Sequence, residues 1–443
     1  MGSAVENPVS HSATASATAT PRRRKGGSDA SSPVKLAPGA AHSPCCDEAS
    51  QLLIAIAGWG AVAATGLGME SLQRAVATNA SALQQRELVI GKTSQPVVAG
   101  FVPDEIVAQL RAADAANADS RAYLFAVAAL KEAAKNAEKI LDSVPTARRG
   151  FVLSTTKANI EALDQLVRQQ PVSAVAQRHI QPAFLAADLA EAFDCRGPVQ
   201  CVSAACISGL SALQQGAALI RRGLADVVFV AGVDLISQFV LSGFNSLKSL
   251  DPEGCRPFDK SRIGLSLGEG AAAIVLAKRE LLSAPAILLS GCGTSNDANH
   301  LTGPSRDGSG LALAIHRALA KAQIAPDKID YVHAHGTGTP YNDAMESLAL
   351  RSVFGDHIPP FSSSKGIFGH TLGTAGVLET ALCVAALQNN LLPGTPRLRE
   401  RDPAAPDSLL AEPRAVMRLN HILKINCGFG GTNAALVLER EQP

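Results

Sequence analysis

Apolar and polar positions follow two alternating patterns along the chain from residue 52 onward. Short apolar runs rich in β-branched residues predict buried strands at 52–57, 150–154, 226–231, 271–276, 286–289, 329–333, 421–426 and 434–438. Longer alanine-rich runs between them predict helices at 121–141, 207–222, 311–323, 342–353 and 377–388. Because buried strands that alternate with helices form parallel or mixed sheets covered by helices, the predicted fold class is α/β.

The longest uncharged run, from Gln51 to Met69, approaches the length of a membrane-spanning helix. It contains glycines at positions 58, 60, 66 and 68, whereas a spanning helix is dominated by large aliphatic residues. We therefore expect a buried strand followed by a glycine turn, and no membrane span.

Two pairs of segments resemble each other in the same order along the chain. GEGAAAIVLAKR (268–279) is similar to GGTNAALVLER (430–440), and the small-residue helix openings at 206–223 and 369–390 are similar to each other. The repeated order predicts a duplicated α/β unit with a boundary close to residue 285. Chance similarity between alanine-rich segments is the alternative.

The predicted domain organisation has three parts: a tail at 1–50 and two halves at 51–285 and 286–443. The tail is rich in Ser, Ala, Thr and Pro and shows no apolar periodicity. Such a segment cannot bury enough apolar surface to offset its ordering entropy, so we predict that it is disordered. Its basic cluster, Arg22–Lys25, is either a targeting or transit signal or part of a solvated extension.

Charge and cysteine usage exclude several classes of function. The 40 basic and 39 acidic residues give a net charge of +1, which provides no field to attract nucleic acid or an anionic membrane surface. Nine cysteines are scattered without a Cys-x-x-Cys pair, which argues against a disulfide framework and a structural zinc. We therefore expect a cytoplasmic enzyme that uses no metal.

Three loop segments contain the residue types of a catalytic site. Cys206 lies where an extended run passes into a predicted helix, and a helix N-terminus stabilises a thiolate. His335 begins the glycine-rich loop HGTGTP, and His370 ends SSSKGIFGH, which contains Lys365 and precedes Glu379. A cysteine and two histidines on such loops favour acyl transfer, with imidazoles donating to an enolate oxygen. The alternatives are a buried structural cysteine and a surface salt bridge.

Five motifs, in family order, resemble the β-ketoacyl-acyl carrier protein synthases, the condensing enzymes of the thiolase superfamily. They are SAACISG (203–209), CRPFDKSRIGLSLGEGA (255–271), HGTGTPYNDAMES (335–347), SSSKGIFGHTLGTAGVLE (362–379) and NCGFGGTNAALVL (426–438). The resemblance runs from about residue 52 to 440. It implies a thiolase-like fold in which two duplicated α/β halves form a five-layered α-β-α-β-α core.

The resemblance implies a role for each residue of the three loops. Cys206 is the implied nucleophile that accepts the acyl chain. His335 and His370 are the implied pair that stabilises the enolate when a malonyl thioester decarboxylates. Lys365 and Glu379 are implied to hold the second histidine loop, with Lys365 acting structurally. The product would be a β-ketoacyl group on an acyl carrier protein, in fatty-acid, polyketide or aryl-polyene biosynthesis.

Further residues resemble those that bind the reacting thioester. Phe429 resembles a gating phenylalanine whose backbone amide forms an oxyanion hole with that of Cys206. Thr337 and Thr339 resemble the hydroxyls that bind the pantetheine arm. No cofactor beyond this arm is implied, because phosphopantetheine arrives on the substrate. The implied partners are acyl carrier protein and a second subunit, in a homodimer or in a heterodimer with a related synthase-like chain.

The chain departs from the usual family pattern at one motif. The family usually has Arg-Asp-Gly-Phe after Pro-Phe-Asp, whereas Arg262 is followed here by Ile-Gly-Leu, so we expect different local packing or carrier docking. Segments 151–160 and 233–250 resemble synthases of bacterial aryl-polyene and flexirubin-type pigment clusters. Two alternatives are a silent chain-length subunit, which typically lacks the nucleophile, and a coenzyme A thiolase, which has a second cysteine where this chain has His370.

Overall fold

The computed structural model describes residues 52–91 and 93–442. The predictions for the tail and its basic cluster lie outside the described residues. The strands are β1 (Ile54–Ala63), β2 (Gly66–Leu67), β3 (Gln84–Ile90), β4 (Thr93–Ala99), β5 (Arg149–Ser154), β6 (Val199–Val202), β7 (Val227–Asp234), β8 (Gly270–Lys278), β9 (Ile287–Asn296), β10 (Tyr331–His333), β11 (Phe361–Ser362), β12 (Leu391–Leu392), β13 (Arg414–Ala415), β14 (His421–Gly428) and β15 (Thr432–Arg440).

The helices lie mostly between consecutive strands of the sheet. They are α1 (Met69–Ala77), α2 (Asp104–Ala113), α3 (Arg121–Asn136), α4 (Glu138–Ser143), α5 (Ile160–Val167), α6 (Ala174–Arg178), α7 (Pro182–Ala192), α8 (Ser208–Arg221), α9 (Gln238–Ser246), α10 (Ser309–Ala322), α11 (Pro340–Phe354), α12 (Lys365–Phe368) and α13 (Ala375–Asn389).

Each strand and helix predicted from the apolar pattern has a counterpart in the structure. The predicted helix at 121–141 is interrupted at Ala137, so that α3 and α4 are separate helices. The hairpin of β3 and β4 was not predicted, because its half-exposed strands do not form an apolar run. The uncharged run after Gln51 forms strand β1 and the short strand β2, as expected. No helix within the described ranges combines the length and apolar character that a bilayer crossing requires.

Strand order repeats between the two halves of the chain. The first half has the order β6-β5-β7-β8-β1, and the second half has the corresponding order β11-β10-β14-β15-β9. In each half, the sheet strand that comes first in the chain (β1 or β9) lies beside the one that comes last (β8 or β15). The next two strands in the chain (β5 and β6, or β10 and β11) lie at the opposite edge of that half. The halves meet through β1 and β9, where Ala55 and Ile56 pair with Leu288 and Ile287. The predicted duplication is therefore confirmed at the level of topology.

Side-chain alternation along the strands separates the molecule into five layers. In β7, Val228 and Val230 face a central core that also contains residues of α8 and α13. The intervening Phe229 and Ala231 face an outer core with residues of α3 and α7. The strands of the second half repeat this pattern with α10 and α11 in their outer core. Because α13 lies between the strands of the two halves, all its residues from position 375 to 387 are buried.

Two glycines allow the central helices α8 and α13 to cross in direct backbone contact. A Cβ atom at Gly209 would lie 2.7 Å from the Cα of Gly376, and a Cβ atom at Gly376 would lie 2.4 Å from the nitrogen of Leu210. Because the obstructing atoms belong to the backbone, a larger residue would force the helices apart. The crossing thereby determines the distance between the N-terminus of α8 and the polar residues on α13.

We expect Gly376→Ala to lower the free energy of unfolding by about 1–3 kcal/mol, because the added methyl group overpacks the crossing. Chemical denaturation monitored by circular dichroism measures this change. Gly243→Ala is a matched control, since Gly243 lies in α9 and a Cβ atom there has no neighbour within 4 Å. The control should stabilise the protein by up to about 1 kcal/mol through helix propensity. Equal effects of the two substitutions would contradict the crossing argument.

Candidate active site

Cys206 lies in a strained turn between β6 and α8. The preceding residue, Ala205, has a φ of 47°, a conformation that a residue with a Cβ atom seldom adopts outside functional turns. The hydroxyl of Ser208 accepts from the amide of Ala204 at 2.8 Å and donates to the carbonyl of Ala205 at 2.6 Å. These bonds orient Cys206 just before the first turn of α8, where unpaired amides and the helix dipole favour negative charge.

The backbone of His335 is fixed on both sides by buried charged groups. Glu346 on α11 accepts the amide of His335 at 2.6 Å with one oxygen and that of Gly336 at 2.7 Å with the other. The ammonium group of Lys365 donates to the carbonyl of His335 at 2.7 Å. The loop that follows β10 therefore has little freedom, and the imidazole of His335 is directed by backbone contacts as well as by packing.

His370 is held by an earlier segment of the chain. Its amide donates to the carbonyl of Ser266 at 2.7 Å, and its carbonyl accepts from the amide of Gly268 at 2.9 Å. The preceding Gly369 has a φ of 76°, and a Cβ atom there would lie 2.2 Å from the carbonyl oxygen of Leu267. The motif at 255–271 thus positions the second histidine through its backbone.

The structure brings the three predicted reactive side chains together. The Nε2 atom of His370 lies 3.0 Å from the Sγ atom of Cys206. The rings of His335 and His370 are edge to face, with their centroids 5.1 Å apart. One ligand-type atom from each of the three side chains lies within 4.8 Å of the other two, and all three residues are at least 92% buried.

The same three atoms are of types that bind metal ions. Two ligands of a tetrahedral zinc, one sulfur and one nitrogen, lie about 3.5 Å apart given the usual bond lengths. The shorter separation of 3.0 Å between His370 and Cys206 is instead a hydrogen-bond distance. We therefore interpret the group as one that shares a proton, and we assign no metal to it.

A buried carboxylate between two buried lysines lies behind the histidines. Glu379 on α13 contacts the ammonium group of Lys365 at 2.6 Å and that of Lys424 at 2.8 Å, and all three side chains are fully buried. Burial alone would raise the pKa of Glu379, but the two ammonium groups hold that pKa well below its usual range. Glu379 is therefore ionised, and the cluster carries a net charge of one positive unit.

Burial keeps all three reactive groups neutral, and the positive charge also disfavours protonation of the two imidazoles. Burial, reinforced by the ammonium group of Lys365, lowers the pKa of His370 to about 3. The same two causes hold the pKa of His335 well below its usual value. Burial raises the pKa of the Cys206 thiol to about 11, although Lys365 and an amide of Phe429 oppose this change. At neutral pH the free site holds a thiol and two neutral imidazoles, so the thiol donates to Nε2 of His370.

The backbone amide of Phe429 lies beside the sulfur of Cys206. A hydrogen bond from this amide opposes the effect of burial on the pKa of the Cys206 thiol. Gly428 lies against the backbone of Cys206, where a Cβ atom would be 3.2 Å from its nitrogen. The ring of Phe429 stacks on that of Phe244 with centroids 5.8 Å apart. The amide of Phe429 is therefore placed to donate to an oxyanion at this sulfur, with an aromatic side chain beside it.

The remaining predicted binding residues lie at the outer end of the His335 loop. The hydroxyls of Thr337 and Thr339 are 2.9 Å apart, and Thr339 is partly exposed. Asp343 accepts the amide of Thr337 at 3.1 Å and forms an ion pair with Arg262 at 3.4 Å. The departure from the family pattern after Arg262 therefore leaves this support of the threonine loop in place.

The ammonium group of Lys365 has two contacts in the site. It pairs with Glu379, and it also donates to the carbonyl of His335, in the first histidine loop, a contact that the sequence did not predict. Because Lys365 itself belongs to the segment that leads to His370, it connects the two loops. Lys424 and Asn426 were not predicted as site residues, although both contact Glu379. In the sequence, both residues could have been found as polar positions two residues apart within the otherwise apolar strand β14.

Two family models match the chain. The beta-ketoacyl synthase N-terminal domain matches residues 53–281, and the beta-ketoacyl synthase C-terminal domain matches residues 287–399. The first match alone covers more than half of the chain.

Individual relatives agree with these matches. The chain is 37% identical over 273 residues to the tetracenomycin polyketide synthase ketoacyl synthase alpha subunit of Streptomyces glaucescens, and this alignment covers 58% of this chain and 64% of that protein. It is 36% identical over 262 residues to 3-oxoacyl-(acyl-carrier-protein) synthase 2 of Coxiella burnetii, in an alignment that covers 56% of this chain and 63% of that protein. The chain thus spans just under two thirds of the length of either relative.

A solved structure extends the similarity to nearly the whole fold. It is a ketosynthase of Xenorhabdus doucetiae in complex with its chain length factor, with a TM-score of 0.78 and 29% sequence identity. The comparison covers 88% of this chain and 98% of that chain. The thiolase-like, five-layered fold predicted from the motifs is confirmed by this similarity together with the observed layers.

We expect Glu379→Gln to lower the free energy of unfolding by about 3–5 kcal/mol, because it leaves two buried ammonium groups without a counter-charge. Urea denaturation measures the change. Glu400→Gln is the control, since Glu400 pairs with Lys260 on the surface and should contribute about 1 kcal/mol or less.

A second substitution tests the cause of this destabilisation. Adding Lys424→Met to the Glu379→Gln variant removes one of the two uncompensated charges, so the double variant should be more stable than Glu379→Gln alone. A double variant that is less stable would show that the carboxylate acts through packing rather than charge.

Proposed function

The chain belongs to the β-ketoacyl synthase family, and we propose that it extends a carrier-bound acyl chain by two carbons through an acyl group on Cys206. The observation that carries the proposal is the contact of 3.0 Å between Cys206 Sγ and His370 Nε2, with the neutral imidazole of His335 beside it. A hydrolase built on a cysteine requires one histidine as its base, whereas decarboxylation of a malonyl thioester uses two donors on one oxygen.

In the first half-reaction, the sulfur of Cys206 attacks the thioester carbonyl of the incoming acyl carrier protein. The thiol proton moves to Nε2 of His370 as the carbon–sulfur bond forms, and the amides of Cys206 and Phe429 stabilise the oxyanion. Collapse of this intermediate breaks the bond to the pantetheine sulfur, which takes up the proton. The acyl group is then on Cys206, and His370 is neutral again.

In the second half-reaction, a malonyl group on carrier protein loses carbon dioxide. The imidazoles of His335 and His370 donate to the thioester oxygen, which becomes an enolate oxygen when the carboxylate leaves. The C2 carbanion attacks the acyl carbonyl on Cys206, and the new carbon–carbon bond releases the Cys206 thiolate. One proton from solvent restores the thiol, and a β-ketoacyl group remains on the carrier.

The protonation states of the free site fit these steps. Neutral imidazoles donate without carrying a charge that would stabilise the malonyl carboxylate and oppose its loss. His370 accepts a proton in the first half-reaction and donates in the second, and its Nδ1 atom has no hydrogen-bond partner among the described residues. Its proton can therefore occupy either ring nitrogen. Lys365 and Glu379 position the site and exchange no proton with substrate.

The proposed substrates and partners follow from the family. Acyl carrier protein supplies the phosphopantetheine, whose arm would contact the hydroxyls of Thr337 and Thr339, and no further cofactor takes part. Strand β6 ends the sheet and is partly exposed, which makes it a surface for a second subunit, either identical or a related chain-length subunit. The cysteines in the described ranges are free of disulfides, which supports a cytoplasmic location.

The pathway and the subunit role remain separate predictions. Assignment to aryl-polyene biosynthesis rests on the resemblance of segments 151–160 and 233–250 alone. The interpretation as a silent chain-length subunit is disfavoured by the presence of Cys206, whose sulfur lies against Nε2 of His370 and beside the amide of Phe429. A coenzyme A thiolase is disfavoured by His370 at the third catalytic position.

We expect Cys206→Ala to abolish acylation and condensation, because no other sulfur of the described residues is grouped with both imidazoles. Intact-mass spectrometry, after incubation with acyl carrier proteins bearing saturated or aryl-polyene groups and then malonyl carrier, measures both steps. Cys201→Ala is the matched control, since Cys201 lies on β6 and is exposed, and it should retain the acyl adduct. An acyl adduct on the Cys206→Ala protein would contradict the assignment of Cys206 as the nucleophile.

A further inference from the structure

The two imidazoles of the site differ in whether a neighbouring side chain contacts Nδ1. In the described residues, Nδ1 of His370 has no hydrogen-bond partner. Nδ1 of His335 instead lies 2.9 Å from Nδ2 of Asn426, the side-chain nitrogen of an asparagine on β14. An amide nitrogen can only donate, so this contact requires a lone pair on Nδ1 of His335.

The orientation of the Asn426 amide follows from its second contact. Its Nδ2 atom also lies 3.3 Å from Oε2 of Glu379. Glu379 is ionised because Lys365 and Lys424 flank it, and an ionised carboxylate only accepts hydrogen bonds. Rotation of the amide by 180° would place its oxygen against this carboxylate, so the charge fixes which end of the amide faces His335.

The alternation of β14 brings these groups to one side of the sheet. Ile422 belongs to the central core, and Lys424 and Asn426 follow it at intervals of two residues. Leu423 and Ile425 face the outer core instead. Lys424 and Asn426 therefore both approach α13, and the strand presents a charged group and an amide to Glu379.

We infer that Asn426 is a positioning residue that fixes His335 as its Nε2–H tautomer, so that Nε2 always presents a proton to the thioester oxygen. The catalytic consequence rests on the proposed function. His370 requires a mobile proton because it first accepts and then donates, whereas His335 only donates. The structure gives the two histidines different partners that match these different tasks.

Several charged or titratable groups face His335 and its loop from the elements packed against them. They are Cys206, His333, Asp343, Glu346, Lys365, His370, Glu379 and Lys424. Asn426 is the one among its immediate contacts that reaches Nδ1. Replacement of its amide by a carboxylate is therefore a specific change at that nitrogen.

The first test measures the tautomer directly and does not depend on activity. In protein labelled with ¹⁵N-histidine, the His335 signals are assigned by their absence from a His335→Asn variant. We expect an unprotonated Nδ1 and a protonated Nε2 in the wild type, and the reverse in Asn426→Asp. A wild-type spectrum with a protonated Nδ1 would overturn the assignment.

The second test separates the two half-reactions kinetically. Asn426→Asp accepts from Nδ1–H and so leaves a lone pair on Nε2. At about pH 8 we expect decarboxylation of malonyl carrier to fall about 100-fold, the usual effect of losing one oxyanion donor. Acylation of Cys206 should stay within about threefold of the wild type, because it uses His370.

The control is Asn420→Asp, the same substitution just before β14, where the side-chain oxygen already accepts from Arg418. It should leave both half-reactions unchanged. Wild-type decarboxylation in Asn426→Asp, or a loss of acylation as large as the loss of decarboxylation, overturns the role of Asn426. Absence of any acyl adduct in the wild-type protein would instead contradict the proposed function, while the tautomer measurement would still stand.

Discussion

The carboxylate of Glu379, buried between the ammonium groups of Lys365 and Lys424, is the contact on which the site depends. An isolated charge at this depth would be prohibitively costly, and three charges are tolerated because each has a partner within hydrogen-bond distance. The carboxylate joins α12, α13 and β14, and through Lys365 and Asn426 it determines both the backbone and the ring of His335. Structural support and catalytic geometry therefore share one interaction.

The excess positive charge of this cluster explains why both histidines are neutral donors. Burial and the lysines disfavour the imidazolium form of both rings, so in the proposed condensation no imidazolium would retain the malonyl carboxylate. Burial also keeps the thiol of Cys206 neutral, and in the proposed acylation its proton would leave only as the thioester is attacked. The three reactive side chains are therefore uncharged before substrate binds.

Duplication of the α/β unit accounts for the place of this site. The two halves contribute one central helix each, and the helices cross where Gly209 meets Gly376. The first half supplies Cys206 at the start of α8, and the second half supplies both histidines and Glu379. Because neither half contains all the reactive groups, the site exists only where the two central helices and the ends of the two sheets meet.

The sequence by itself determined the α/β class, the main strands and helices, and the residues Cys206, His335 and His370, because apolar periodicity and motif order are local properties. Only the tertiary structure decided that Lys365 contacts the first histidine loop, and that Lys424 and Asn426 belong to the site. These contacts join residues far apart in the chain, such as Asn426 and His335. Which buried groups pair depends on how the layers pack, and no local sequence pattern encodes a contact between residues that are far apart in the chain.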